Sequence, residues 1–298
     1  MGSSIRIPGL VDIKTIDDKA EIATLSLDTR LDRDFEPKGP LVNRLLAQRV
    51  RNALRLDGKP LPSVAPRGDV ERASHQAALR RRLDPATGTL WDDATIARLV
   101  AAVHGETETS DIGPAAQQAV GRLFVPDYVG DADSFKAAKD LDDAVHSKNP
   151  LRTLQLHITG SLRRARKLLA KRVGGDLAGV HATGIAVHNL VRGFTAMRDL
   201  YAKGAPFPSA DEVVGRCLFA PETVLRQATV HGGTLAGEVR PGTLLLYQLD
   251  SVRAHAPGAD AVFMAGTWAE CPAVAFVPAL LRVVWERAVA AEPAGPVS

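Results

Sequence analysis

Phe263-Met-Ala-Gly-Thr-Trp-Ala-Glu-Cys-Pro-Ala273 is the stretch around which the chain is organised. It reads as a loop of small residues that delivers one cysteine, Cys271, to the start of an apolar helix. Pro272 suits the first helical position, where an N–H would have no partner in any case. Val277, Leu280, Leu281 and Val284 recur at helical spacing, so the helix is expected to bury one face. A thiol at a helix N-terminus feels the positive end of the dipole and ionises more easily, which suits a metal ligand. The other reading open at this point is a small, buried, apolar cysteine.

The rest of the composition narrows the classes. The 298 residues are 45% hydrophobic and 24% charged, as expected of a soluble globular protein. A net charge of +3 is too small to argue for nucleic acid. Cys217 and Cys271 stand far apart with no CxxC, which argues against a zinc site or a disulfide framework and fits a reducing compartment. No apolar run reaches membrane-spanning length and no signal peptide opens the chain, so a cytoplasmic protein without membrane attachment is expected. One domain is expected over residues 1–292, followed by a disordered tail over 293–298.

Going outward, residues 5–13 read as an extended segment broken at Pro8-Gly9. Helices are expected near Val42–Leu54, Asp69–Leu83, Trp91–His104 and Gly113–Leu123, and an exposed one over Asp133–Lys148. Leu151–Val173 reads as one helix with Arg163, Arg164, Arg166, Lys167, Lys171 and Arg172, either a solvated face or a patch for an acidic protein. No aromatic residues interleave these charges, which disfavours nucleic acid. Gly174-Gly175 ends that helix, and a long one follows over Asp176–Tyr201. Its first turns, Ala178-Gly-Val-His-Ala-Thr-Gly184, are small and leave room for something broad and flat. Ser209-Ala-Asp-Glu212 is a capping box. Thr223–Val230 and Thr243–Leu249 read as strands, joined through the turn Arg240-Pro-Gly-Thr243, and 250–260 as a loop.

In this order the pieces resemble the cytochrome P450 superfamily of heme-thiolate enzymes. Ala178-Gly179 to Thr183 resembles the distal helix over the iron. Glu212 and Arg216 are similar to the Glu-x-x-Arg helix, and Arg226-Gln-Ala-Thr229 to the propionate-binding segment. Phe263–Ala273 resembles the cysteine-ligand loop. The likeness covers about half of the chain. It departs from the pattern in several places: the His75–Arg80 spacing is one longer than usual, the segment between Arg226 and Cys271 is short, and Pro278 is expected to kink the cysteine helix. The cysteine loop has one extra residue after Gly266, Ala269 replaces a basic residue, and the Glu–Arg spacing is stretched to i,i+4.

The resemblance implies a mainly α fold with small β-sheets, a reduced cytochrome P450-like fold. It implies heme b (iron protoporphyrin IX) ligated by Cys271, with His75, Arg80, Ala178, Gly179, Arg226 and Trp268 around the cofactor. His181 and Thr183 would be the catalytic pair of the distal helix. His181 takes the place of the usual acid, and Ala182 that of the usual alcohol. A histidine can relay protons near neutrality, and loss of the alcohol favours chemistry starting from peroxide or hydroperoxide. The implied function is a heme-dependent oxidoreductase, a monooxygenase or peroxygenase, acting on a small apolar or amphipathic organic substrate. A redox partner protein would dock on the Arg163–Arg172 face. The alternatives are a heme-free binding or scaffold protein on the same fold, and an unrelated helical protein using its basic face.

Overall fold

The computed structural model describes residues 3–62, 65–87, 91–147, 149–255 and 259–291. The chain opens on a hairpin of β1 (Ser4–Ile7) and β2 (Val11–Ile16), with Gly9 at φ +72 in the turn, where sequence suggested only a broken extended segment. Asp18 then caps α1 (Lys19–Leu27) by accepting the Glu21 N–H at 2.8 Å. Next come β3 (Leu31–Asp32), α2 (Leu41–Ala53), the short hairpin β4 (Arg55–Leu56) and β5 (Lys59–Pro60), and α3 (Arg72–Arg82). The middle of the chain is helical: α4 (Asp93–His104), α5 (Ile112–Gly121), α6 (Ala132–His146), α7 (Pro150–Ile158) and α8 (Ser161–Arg172). Gly160, at φ +67, separates the last two, so the helix expected over 151–173 is two helices.

The long helix that follows is composite. It runs as α9 (Leu177–His181), a π-helical turn over Ala182–Ala186 and α10 (Val187–Tyr201). The cause of the π turn is visible in the hydrogen bonds. The Val187 N–H donates to the Ala182 carbonyl instead of the Thr183 carbonyl. Thr183 O accepts from the fully buried Gln117 side chain at 2.9 Å. The Thr183 hydroxyl bonds back to Gly179 O at 2.7 Å, a contact that loosens a helix locally. Such π turns are frequent at functional sites.

The last third of the chain returns to the sheet. After α11 (Ala210–Cys217), with the expected Ser209 capping box, come β6 (Val224–Ala228), the hairpin β7 (Gly232–Thr234) and β8 (Gly237–Val239), and β9 (Leu244–Tyr247). The five-stranded sheet has the order β1-β2-β9-β6-β3, with β2 and β9 parallel. The turn before β9 closes with Thr243 N–H on Arg240 O at 2.8 Å, and Gly242 supplies φ +89, as its Pro-Gly sequence predicts. The segment expected as a loop over 250–260 instead holds α12 (Leu249–His255) and α13 (Ala259–Val262). The chain ends in α14 (Phe276–Ala290). The tail expected to be disordered lies outside the described residues.

Two cores flank the composite helix. One joins α4, α5, α10, α11, α14 and the sheet through Leu99, Phe194, Leu281 and Tyr247. The other joins α2, α6, α8 and α9 through Ala47, Leu141, Leu169 and Val180. The helix expected to be exposed, α6, buries Ala137, Ala138, Leu141 and Ala144 and packs against α8 and the π turn. Among the described residues no helix is long and apolar enough to cross a membrane.

Candidate active site

A cavity of about 500 Å³ lies between the cysteine loop and the composite helix. Its volume falls within the range of small-molecule sites. Cys271, Pro272, Phe263 and Met264 form one wall, and Ala178, His181, Ala182 and Ile185 form another. The spacing of these four is one face of the helix, so the small residues singled out from sequence do open onto the cavity. Gly179 and Thr183 do not. Gly179 packs on Val173 and Phe124, and Thr183 is fully buried outside the lining.

The cysteine loop is held by its own backbone. The Cys271 N–H donates to Phe263 O at 2.8 Å, the Thr267 hydroxyl to Met264 O at 2.8 Å, and the Gly266 N–H to Glu270 Oε2 at 2.7 Å. Helix α14 begins at Phe276, so Cys271 precedes it by a non-helical turn and Pro272 is not its first residue. Pro278 falls in the first turn of α14, where no hydrogen bond is lost, and that placement sets the helix start. The Cys271 thiol therefore does not sit at the positive end of the α14 dipole. Burial pushes the Cys271 thiol up, the Glu270 charge adds to this, and only the Ala273 backbone N–H works against it. The other cysteine, Cys217, is buried with its thiol pushed up to about 12 and is chemically quiet.

Beside the cavity stands an unusual charge cluster. The guanidinium carbons of Arg33, Arg67, Arg72 and Arg226 lie 5.0, 5.6, 4.8 and 5.6 Å from the centre of the Trp268 ring. Arg33, Arg72 and Arg226 are each less than a tenth exposed. Among the described residues none of the four forms an ion pair with a carboxylate. The nearby Asp32 carboxylate instead accepts the backbone N–H groups of Arg33 at 2.7 Å and Arg67 at 3.0 Å. Burial, followed by the charge of Arg226, pushes Arg72 down to about 10, and burial lowers Arg226 as well. The buried Nε of Arg226 has no hydrogen-bond partner among the described residues. Such a set of guanidinium forks is built for carboxylates or phosphates.

The residues proposed for this role on α3 lie elsewhere. His75 is exposed and pairs with Glu71 at 3.8 Å, and Arg80 is half-exposed on Glu270 at 2.9 Å. Helix α3 sends Arg72 to the cluster and Gln76 and Leu79 to the cavity instead. The spacing 72, 76, 79, 83 is a helical stripe ending on two leucines, and that pattern was available as a signal. Glu212 and Arg216 meet at 3.9 Å on the surface, not in the core.

No protein-family model and no curated protein matches the chain. Solved structures do. A cytochrome P450 from Novosphingobium aromaticivorans aligns with a TM-score of 0.60 at 11% identity, over 96% of this chain and 84% of that one. P450 RauA, complexed with a biosynthetic intermediate of aurachin RE, aligns with 0.59 at 14% identity, over 93% and 83%. P450EX alpha with myristic acid aligns with 0.52 at 12% identity, over 93% and 80%. The chain has the cytochrome P450 fold, mainly α with small sheets.

Proposed function

We propose that the cavity holds heme b through the Cys271 thiolate, and that the chain is a heme-thiolate oxidoreductase driven by peroxide or hydroperoxide. The observation that carries this reading is the meeting at one cavity of a thiol, a wall of small residues and two arginines, Arg33 and Arg226, of a cluster that has no carboxylate ion pair among the described residues. Arg33, Arg67 and Arg72 donate to the carbonyls of Ala65, Leu27 and Trp268, and two propionate carboxylates would add the anionic partners they lack and a partner for the orphaned Nε of Arg226. Ala178 and Ala182 leave the space that a flat ring needs. Bound there, the heme supplies redox chemistry, its thiolate ligand pushing electron density to favour O–O cleavage.

The chain's own residues hold and shape the rest. Burial, with the charge of His146, pushes His181 down to about 4, so at neutral pH it is an uncharged hydrogen-bonding group in the wall. Ile185, Phe276 and Val277 give a mostly apolar surface that suits a small apolar or amphipathic substrate. The fatty acid held by P450EX alpha is of that class. Arg166 donates to the carbonyls of Asn52 and Arg55, and Arg172 pairs with Asp131 at 2.6 Å, so both are used within the fold. Arg164 is exposed but donates to Thr159 O at 2.9 Å, which leaves Arg163, Lys167 and Lys171 as the solvent-facing cations for an acidic partner protein. Helix α8, which carries them, packs on α6 and α9, and none of its residues lines the cavity with Cys271, a placement that suits a peroxide oxidant better than an electron donor at the thiolate.

The test is an absorption spectrum of the protein reconstituted with hemin. The expected outcome is a ferrous–CO Soret band at the position of thiolate ligation, lost in Cys271→Ser. A protein that takes up no hemin overturns the reading.

A further inference from the structure

The wall opposite Cys271 carries titratable groups that no role above employs. Asp142 and His146 stand one turn apart at the C-terminal end of α6, with Nδ1 of His146 2.7 Å from Asp142 Oδ1. Both line the cavity, together with His181 on α9 and His188 on α10. The His146 side chain is also 37% exposed, so it touches both the cavity and solvent. Its neighbours on other elements are accounted for. Asp143 is engaged by Arg152 of α7 at 2.9 Å. Arg49 of α2 donates to the carbonyls of Ala144 at 2.8 Å and Ser147 at 2.7 Å, closing the helix end. His188 packs on Phe135 at 5.5 Å, and its buried Nε2 has no hydrogen-bond partner among the described residues. No group of His, Cys, Asp and Glu among the described residues is placed to hold a metal ion.

We propose that Asp142 and His146 are the acid–base pair of this cavity, His146 carrying protons between solvent and an oxygen of the bound oxidant or substrate. This rests on the heme reading and deepens it. With Nδ1–H bonded to the carboxylate, Nε2 is the ring position left to act. Its lone pair takes the proton of an O–H group and leaves the electron pair on that oxygen. The imidazolium then returns the proton to a second oxygen or to water, so the ring ends as it began. Asp142 is the positioning residue: it fixes the tautomer and faces the charge that forms. Burial raises the Asp142 carboxyl, but the hydrogen bond and charge of His146 and the charge of His188 outweigh it and keep the carboxyl below its ordinary value. His181 stays uncharged at neutral pH and therefore stores no proton.

Two measurements test the pair. In heme-free protein, ring-nitrogen NMR at alkaline pH is expected to show His146 as the Nδ1–H tautomer, with that preference lost in Asp142→Ala. An Nε2–H tautomer in the wild type overturns the pair. In hemin-reconstituted protein, hydrogen peroxide with a small phenol as reporter gives kcat against pH. His146→Gln is expected to lower kcat about 100-fold and flatten its pH dependence while the thiolate Soret band persists. Asp142→Asn should lower it about tenfold, and Asp142→Glu should restore most of it. A His146→Gln protein with the wild-type rate and pH profile overturns the role given to the pair. Absence of the thiolate band in the wild type overturns the cofactor reading instead, and the catalytic role with it.

Discussion

His181 shows how one residue's surroundings can reverse its sequence meaning. On sequence alone it is a group that titrates near neutrality. In the fold it is pushed down to about 4, first by burial and then by the charge of His146. Between that value and its unfolded value of about 6.5 the unfolded chain holds a proton that the folded chain does not. Stability must therefore rise with pH across this window and fall as pH drops through it. The loss attributable to His181 is at most about 3 kcal/mol by pH 4, from 1.36 kcal/mol per unit. His181→Gln removes the titration, so its unfolding free energy should fall less steeply between pH 6.5 and 4 than that of the wild type. Urea denaturation at half-unit pH steps checks this, and parallel curves for the two proteins would contradict it. Thr183 is the complementary case. Its hydroxyl is spent on Gly179 O, so it is a helix-shaping residue and not part of the cavity surface.

At the scale of the element, the composite helix is shaped from outside as much as by its own sequence. Gln117 on α5 donates to Thr183 O at 2.9 Å and to Ser134 O at 3.1 Å, and accepts the Ser134 hydroxyl at 2.6 Å. One buried amide therefore ties α5, α6 and the π turn together. Gln117→Leu strands the Thr183 and Ser134 carbonyls and should cost on the order of 2–3 kcal/mol, read as a lower urea midpoint at unchanged slope. It should also let the turn relax towards α geometry and shift His181 relative to His188, which a change in substrate-induced Soret shift would report. None of this was legible locally, because a π turn depends on a partner 66 positions away. What was legible followed from local period and punctuation: the small face of the distal helix, the Ser209 cap, the Pro-Gly turn and the strand carrying Arg226. On α3 the stripe through Arg72, Gln76 and Leu79 was periodic enough to find, but motif matching drew the reading to His75 and Arg80. Arg33 and Arg67 come from irregular segments, where no period points inward. His146 sits at the end of a helix whose charged composition suggests exposure, although that helix buries a full alanine–leucine face.

For the whole molecule, the arginine cluster sets stability against binding. Segments far apart in the chain bring Arg33, Arg67, Arg72 and Arg226 around Trp268; the charge of Asp32 favours the charged forms of Arg72 and Arg226, but its oxygens are bonded to backbone N–H groups and it forms no ion pair with any of the four. Like charges held this way repel, as the depression of Arg72 by Arg226 shows. A buried charge without an ionic partner destabilises the fold until an anion offsets it. Arg226 is the sharpest instance: it is 3% exposed, its Nε has no partner among the described residues, its hydrogen bonds go to Leu225 O at 2.7 Å and the Met264 sulfur at 3.6 Å, and its guanidinium lies over the Tyr247 and Trp268 rings. Arg226→Met keeps the apolar stem and removes the charge. In heme-free protein it should therefore raise stability by about 1–2 kcal/mol, a melting shift of about 2–6 °C. The same change should weaken hemin binding at least tenfold, because a propionate loses a charge-assisted partner. If Arg226 serves only to brace the strand, Arg226→Met lowers the melting temperature and leaves hemin affinity unchanged. Differential scanning calorimetry of both proteins, with hemin titration of each, separates the two outcomes and shows whether this region of the fold is arranged around an anion.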